Sequence, residues 1–196
     1  MNRFLYKIKQ FNKIAEIDEI ARRYFALNSF DGVLMILGII IANFFASIAD
    51  KKIILVTSIG AMVAVTISGM WGAYLTEHAE RTGEIKKLEK KVGLSFRKTP
   101  IHHAHIFATI SLSLINGLSS LFAALIIISP FFFSFIDIKI AYYIAISLAF
   151  LILFLLGVFL GKISKSNLIV YGIKLILAGI VCSIIIFLIE HGGALF

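Results

Sequence analysis

The sequence predicts an all-α polytopic membrane protein, with five transmembrane helices behind an N-terminal amphipathic helix. Three observations carry that expectation. Of 196 residues, 60% are hydrophobic and 15% charged, where a soluble domain is roughly half apolar and about a quarter charged. The mean hydropathy is +0.98. The charges gather at residues 1–23, 77–98 and 162–174 and leave long uncharged runs between them, which is the pattern of loops and spans.

The N-terminus reads MNRFLYKIKQFNKIAEIDEIARRYF. Charge is mixed with apolar residues throughout, without the apolar region and small-residue cleavage site of a signal peptide. Phe4, Ile8, Phe11, Ile14, Ile17 and Ile20 recur at steps of three and four, which draws an apolar stripe on a helix with charges opposite. Residues 1–27 are therefore expected to form an amphipathic helix on the membrane surface or on another part of the protein. Residues 28–196 are expected to form the transmembrane domain.

A helix crosses the hydrocarbon core of about 30 Å with roughly 20 apolar residues and satisfies its own backbone there. Five runs qualify, at about 32–49, 53–75, 104–129, 140–161 and 168–189. They are separated by Asp50-Lys51-Lys52, the charged stretch 77–103, Asp137-Ile138-Lys139 and Gly161-Lys162-Ile163-Ser164-Lys165. The stretch 77–103 and the last separator hold most of the loop lysines and arginines. Both fall on the side of the N-terminus in an alternating path, so the positive-inside rule puts the N-terminus in the cytoplasm and the C-terminus outside it.

Gly157-x-x-x-Gly161 and Gly69-x-x-Gly72 are spaced for close helix approach, although glycine is also simply frequent in membrane helices. Pro130 should end or kink span three.

The net charge is +8, but the basic residues flank apolar spans. There they face anionic lipid and set orientation rather than bind nucleic acid. Cys182 is the single cysteine, so no disulfide framework or thiolate zinc site can be built, and it reads as a small packing residue. No Ser-His-Asp set, two-metal acid cluster or phosphate-cradling glycine loop is evident, so an enzyme is not expected.

Polar groups in or beside spans are costly and are functional candidates by default. Asp31 stands at the mouth of span one, as a helix N-cap, an ion ligand or both. If span two continues as a helix beyond the membrane, Glu77, Glu80 and Glu84 fall at i, i+3 and i+7 and share one face. A divalent cation would relieve their repulsion. Arg81, Lys87 and Lys91, one turn beyond the acids, would do so equally as an ordinary solvated face. His78 lies within the same segment. His102, His103 and His105 enter span three as a metal site or as an interfacial pH-sensitive cluster. Met35, Met62 and Met70 are thioether candidates or filler, and Met70 stands out because it shares a helix segment with the acids.

Asn28-Ser29-Phe30-Asp31-Gly32 opening span one and Gly72-Ala73-Tyr74 with acids beyond it are followed by Ser129-Pro130 ending span three and Phe154-Leu155-Leu156-Gly157 in span four. Together they resemble the vacuolar iron transporter family, particularly its short members. The resemblance implies a homodimer of five-helix subunits that moves Fe2+ or Mn2+ out of the cytoplasm, in exchange for protons, with no resident cofactor. It implies that Asp31 is the span-one carboxylate on the ion path, Met70 the span-two methionine, and Glu77, Glu80 and Glu84 part of a metal-gathering region. Glu77, Glu80 and His78 would attract the ion, and Asp31 with Met70 would pass it on. The family has Gly-Glu-Tyr or Gly-Glu-Phe where this chain has Gly72-Ala73-Tyr74, so one acidic group is missing. In that register Gly69 stands at the methionine position and Met70 follows one residue later. The rival expectation is a non-transporting scaffold or assembly subunit whose basic N-terminus binds lipid or a partner.

Overall fold

The computed structural model describes residues 17–96 and 99–192, and among them all regular structure is helical. The chain runs through α1 (Ile17–Phe45), α2 (Lys51–Val92), α3 (Pro100–Ile128), a 3-10 turn (Ser129–Phe132), α4 (Ile138–Ile163) and α5 (Leu168–His191). Among the described residues, five helices are long and apolar enough to cross a membrane. The amphipathic stripe expected from Phe4 to Ile14 lies outside the described residues. From Ile17 onward the chain is one continuous helix to Phe45, with no break at residues 27 and 28.

Helix ends follow local chemistry. The Asp137 carboxylate accepts the Lys139 N–H at 2.8 Å and caps α4. Asn167 Oδ1 accepts from the Ile169 and Val170 N–H groups at 3.0 and 3.3 Å and caps α5. Both satisfy donors that a helix start leaves free. At the end of α1, Ile48 N–H donates to Asn43 O and Ser47 N–H to Phe44 O, with Ser47 at φ 54°. That is a Schellman closure in which Ser47 holds the left-handed position glycine usually takes. Lys165 closes α4 in the same way at φ 52°, with Ser166 N–H on Gly161 O and Lys165 N–H on Lys162 O. Pro130 stands in the first turn of the 3-10 segment that follows α3, so the helix ends where the proline removes a donor.

The chain divides into two compact units. In the first, formed by the described residues up to Phe25 and by Thr66–Leu118, Ile17, Ala108 and Leu112 make an apolar core flanked by Ile20, Ala21, Tyr24 and Phe107.

The second unit comprises Ala26–Val65 and Ser119–Phe196. Its core joins Ile36, Leu37 and Ile40 of α1, Ile54 of α2, Ile127 and Ile128 of α3, and Ala145 and Leu153 of α4. Small residues set its closest approaches. A Cβ on Gly32 would stand 2.7 Å from Ser120 O, one on Gly157 would stand 2.6 Å from Gly172 Cα, and one on Gly161 would stand 3.0 Å from Leu168 Cα. The Gly157-x-x-x-Gly161 spacing is thus used for close packing of α4 on α5. Gly72 meets nothing within 4 Å.

Burial is uneven. The apolar stretches of α1 and α3 are 44% and 50% buried, those of α2 and α5 only 17% and 11%. Such a surface needs lipid or another apolar surface to cover it.

Candidate functional site

Asp31 is the fifteenth residue of α1, so it is not the helix N-cap considered for it from the sequence. The helix ends at Phe45. A crossing of about 20 residues that ends there begins near Ala26 and takes in Asp31. Two contacts hold this part of α1 in the second unit: Gly32 lies against the Ser120 backbone, and Ser29 Oγ donates to Ser119 O at 3.4 Å. Asp31 is exposed, and among the described residues no salt bridge reaches it.

The first unit holds the other candidates. α2 spans 42 residues, about 63 Å at 1.5 Å per residue, so it continues well past a crossing and carries Glu77, Glu80 and Glu84 on its extension. Their environments differ. Glu80 and Glu84 are exposed, while Glu77 is only 3% exposed. Its Oε2 accepts from Arg81 Nε at 2.9 Å and its Oε1 from the Tyr24 hydroxyl at 2.9 Å. Arg81, also buried, is the cation that compensates Glu77, as the i, i+4 spacing allows. His78 is exposed and stacks on Tyr74 with ring centroids 5.8 Å apart.

Met70 packs where α3 comes closest to α2. A Cβ on Gly117 would strike the Met70 side chain and stand 2.7 Å from Thr66 O. Beside it, Asn116 Nδ2 donates to Gly69 O at 2.8 Å. Of the histidines, His105 is buried, His102 half-buried and His103 exposed. Among the described residues, the buried His105 Nδ1 and Thr66 Oγ1 have no hydrogen-bond partner. Arg81, Glu84 and His102 are the charged or titratable neighbours of His105. Among the described residues, no three His, Cys, Asp or Glu side chains converge to hold a metal ion.

No family model and no solved structure matches the sequence. Over 176 residues, 88% of this chain and 90% of its counterpart, the sequence is 37% identical to Uncharacterized protein MJ0645 of Methanocaldococcus jannaschii. The chain belongs to the family of that protein. The likeness extends over most of both chains rather than over one shared segment.

Within this family member, several polar groups were not picked out from the sequence. Thr109, Ser113 and Asn116 of α3 are buried and continue from the buried His105, a candidate in the sequence, at steps of four, four and three. They form one polar stripe along α3. Tyr24, the partner of Glu77, lies on the N-terminal turns of α1. The stripe was readable as helical periodicity in polar residues. The Tyr24 contact joins residues 53 positions apart and has no local signal. The arrangement offers an exposed set of acids with His78, a buried and closed Glu77 network, and a carboxylate inside an apolar helix.

Proposed function

We propose that this protein is a transporter that exports a divalent metal, Fe2+ or Mn2+, from the cytoplasm in exchange for protons, as its resemblance to the vacuolar iron transporters implies. The observation that carries this reading is Asp31, a carboxylate within the apolar stretch of α1 that forms no salt bridge among the described residues. Such groups in membrane helices mark ion and proton pathways, because their cost is otherwise hard to explain. Asp31 takes a hard divalent ion when ionised and carries a proton when neutral, so metal and proton compete for one oxygen pair.

Glu80, Glu84 and His78 gather the ion at the cytoplasmic end of α2. Glu77 supports that end of the helix through Arg81 and Tyr24 rather than coordinating metal while those bonds stand. Met70 is a soft donor with little hold on a hard ion. A sparse donor set suits transport, since a site must release what it loads. In this reading the N-terminus is cytoplasmic, the C-terminus lies outside, and two subunits pair as a symmetric dimer.

The closed Glu77–Arg81–Tyr24 network favours a second reading, a scaffold or assembly subunit in which these charges only hold helices together. Uptake of Fe2+, Mn2+ and Zn2+ into proteoliposomes, with and without a pH gradient, separates the two. Transport predicts uptake that responds to the gradient and is abolished in Asp31→Ala. No uptake of any of the three by folded protein would overturn it, and the scaffold reading would stand.

A further inference from the structure

Two adjoining hollows in the second unit lie where the end of α1, the start of α4 and the end of α5 meet. The inner one, about 360 Å3, is almost wholly apolar and runs between Ile41 of α1, Ile146 and Phe150 of α4, and Ile180 and Ile184 of α5. The outer one, about 460 Å3, is bounded by Ser47, Lys139, Tyr142 and Tyr143. Phe44 and Phe45 line both and separate them. Both volumes fall in the range of small-molecule sites, roughly 300–1,000 Å3.

The order of the two hollows along α4 is informative. Lys139 and Tyr143 belong to the first turns of the helix and Phe150 lies eleven residues beyond Lys139, about 16 Å deeper at 1.5 Å per residue. The site is therefore cationic and hydroxyl-bearing at the helix ends and apolar toward their middles. A membrane lipid has the same order, with a head group at the interface and a chain beneath it.

Charge selects the kind of lipid. Lys139 is the charged residue of the outer lining and is exposed there. The neighbouring charges have other work. Asp137 caps α4 through the Lys139 N–H, and the Lys51 ammonium donates to the Phe133 and Ile136 carbonyls. The Tyr142 hydroxyl donates to Ile48 O at 2.9 Å, which fixes the floor between the hollows. A free ammonium at the interface attracts an anionic phosphate, and Tyr143, 60% exposed, sits as tyrosines do at the head-group level.

We propose that this groove binds one anionic phospholipid, its phosphate on Lys139 and one acyl chain in the cleft between α1, α4 and α5. The test is native mass spectrometry of the full chain in detergent with phosphatidylglycerol, phosphatidylcholine or glycerol 3-phosphate added. One phosphatidylglycerol should be retained at least tenfold more tightly than phosphatidylcholine. Lys139→Gln should erase that preference, and Ile184→Trp, at a half-exposed cleft position, should weaken retention of both lipids. Lys162→Gln, at the other end of α4, should change neither.

Equal retention of the two lipids by the parent chain, or equal effects of Lys139→Gln and Lys162→Gln, would overturn the proposal. Displacement of the lipid by glycerol 3-phosphate would reduce the site to a phosphate site and reject the acyl-chain assignment. A dimer that retains no lipid and separates in Ile184→Trp would give the groove to a second copy instead.

Discussion

The Tyr24 hydroxyl donates to Glu77 Oε1 at 2.9 Å while Arg81 Nε donates to the other carboxylate oxygen at the same distance. Each oxygen of a carboxylate 3% exposed thus has a donor, and the first unit is tied from α1 to α2 through one side chain.

Breaking that set from one side leaves a buried charge alone. Arg81→Ala is expected to cost about 3–5 kcal/mol, the usual penalty for removing one partner of a buried ion pair. Tyr24→Phe should cost about 1.5–3 kcal/mol, since the lost bond goes to a charged acceptor. The double variant Glu77→Leu with Arg81→Met removes both charges and should recover most of the loss. Thermal unfolding in detergent checks all three. A double variant less stable than Arg81→Ala would show that Glu77 does more than hold helices.

Gly117 and Gly72 make a matched pair for a packing test. In Gly117→Ala the new methyl meets the Met70 side chain and the Thr66 carbonyl, so overpacking should cost about 1–3 kcal/mol. Adding Met70→Ala should return part of it, because one of the two clashes is gone. Gly72→Ala meets nothing within 4 Å and should stabilise α2 by roughly 0.5–1 kcal/mol through helix propensity. Melting temperatures should therefore fall below the parent for Gly117→Ala, lie between Gly117→Ala and the parent for the double variant, and rise above the parent for Gly72→Ala.

Ser47 and Lys165 hold left-handed backbone at the ends of α1 and α4, where a side chain costs about 1–2 kcal/mol. Ser47→Gly and Lys165→Gly are each expected to raise stability, by up to about 1 kcal/mol once the extra freedom of unfolded glycine is subtracted. Gly93→Ala, at φ 72°, should lower it. Denaturation midpoints should rise for Ser47→Gly and Lys165→Gly and fall for Gly93→Ala. A loss in Lys165→Gly would mean that its side chain contributes more than its backbone strain costs.

The helices themselves were legible because span length and hydrophobicity follow from the bilayer alone. Spans at about 140–161 and 168–189 correspond to Ile138–Ile163 and Leu168–His191, and the helix carrying Glu77, Glu80 and Glu84 does continue to Val92. The start of the bundle was misread for a physical reason. Asn28, Ser29 and Asp31 have the chemistry of a cap, but Gly32 lies on Ser120 and Ser29 bonds to Ser119 O. Close packing there holds an unbroken helix through residues whose local preference is to begin one. The buried stripe on α3 was readable only as a periodicity of polar residues, not as a dip in hydropathy. Thr109 and Ser113 return their hydroxyls to the carbonyls of His105 and Ile110, so they sit in an apolar helix at little cost and do not disturb its hydropathy. The ties from Tyr24 to Glu77 and from Asn116 to Gly69 depend on helix pairing, which no local pattern encodes.

Asp31 offers a test in which stability and function should part. A carboxylate kept in an apolar helix for packing would be expected to support the fold, so its removal would weaken it. A carboxylate kept for an ion is a burden on the fold, since an acidic side chain near the middle of a membrane helix costs up to about 3 kcal/mol. Asp31→Asn retains size and hydrogen-bonding capacity but loses the charge. It should leave the melting temperature unchanged or raised, while uptake of Fe2+ and Mn2+ into proteoliposomes falls to background and the pH gradient ceases to matter. Asp31→Glu keeps the charge one methylene farther out and should retain measurable uptake at reduced affinity. If Asp31→Asn instead lowers the melting temperature and leaves uptake intact, the carboxylate is a structural group and the metal route must avoid it.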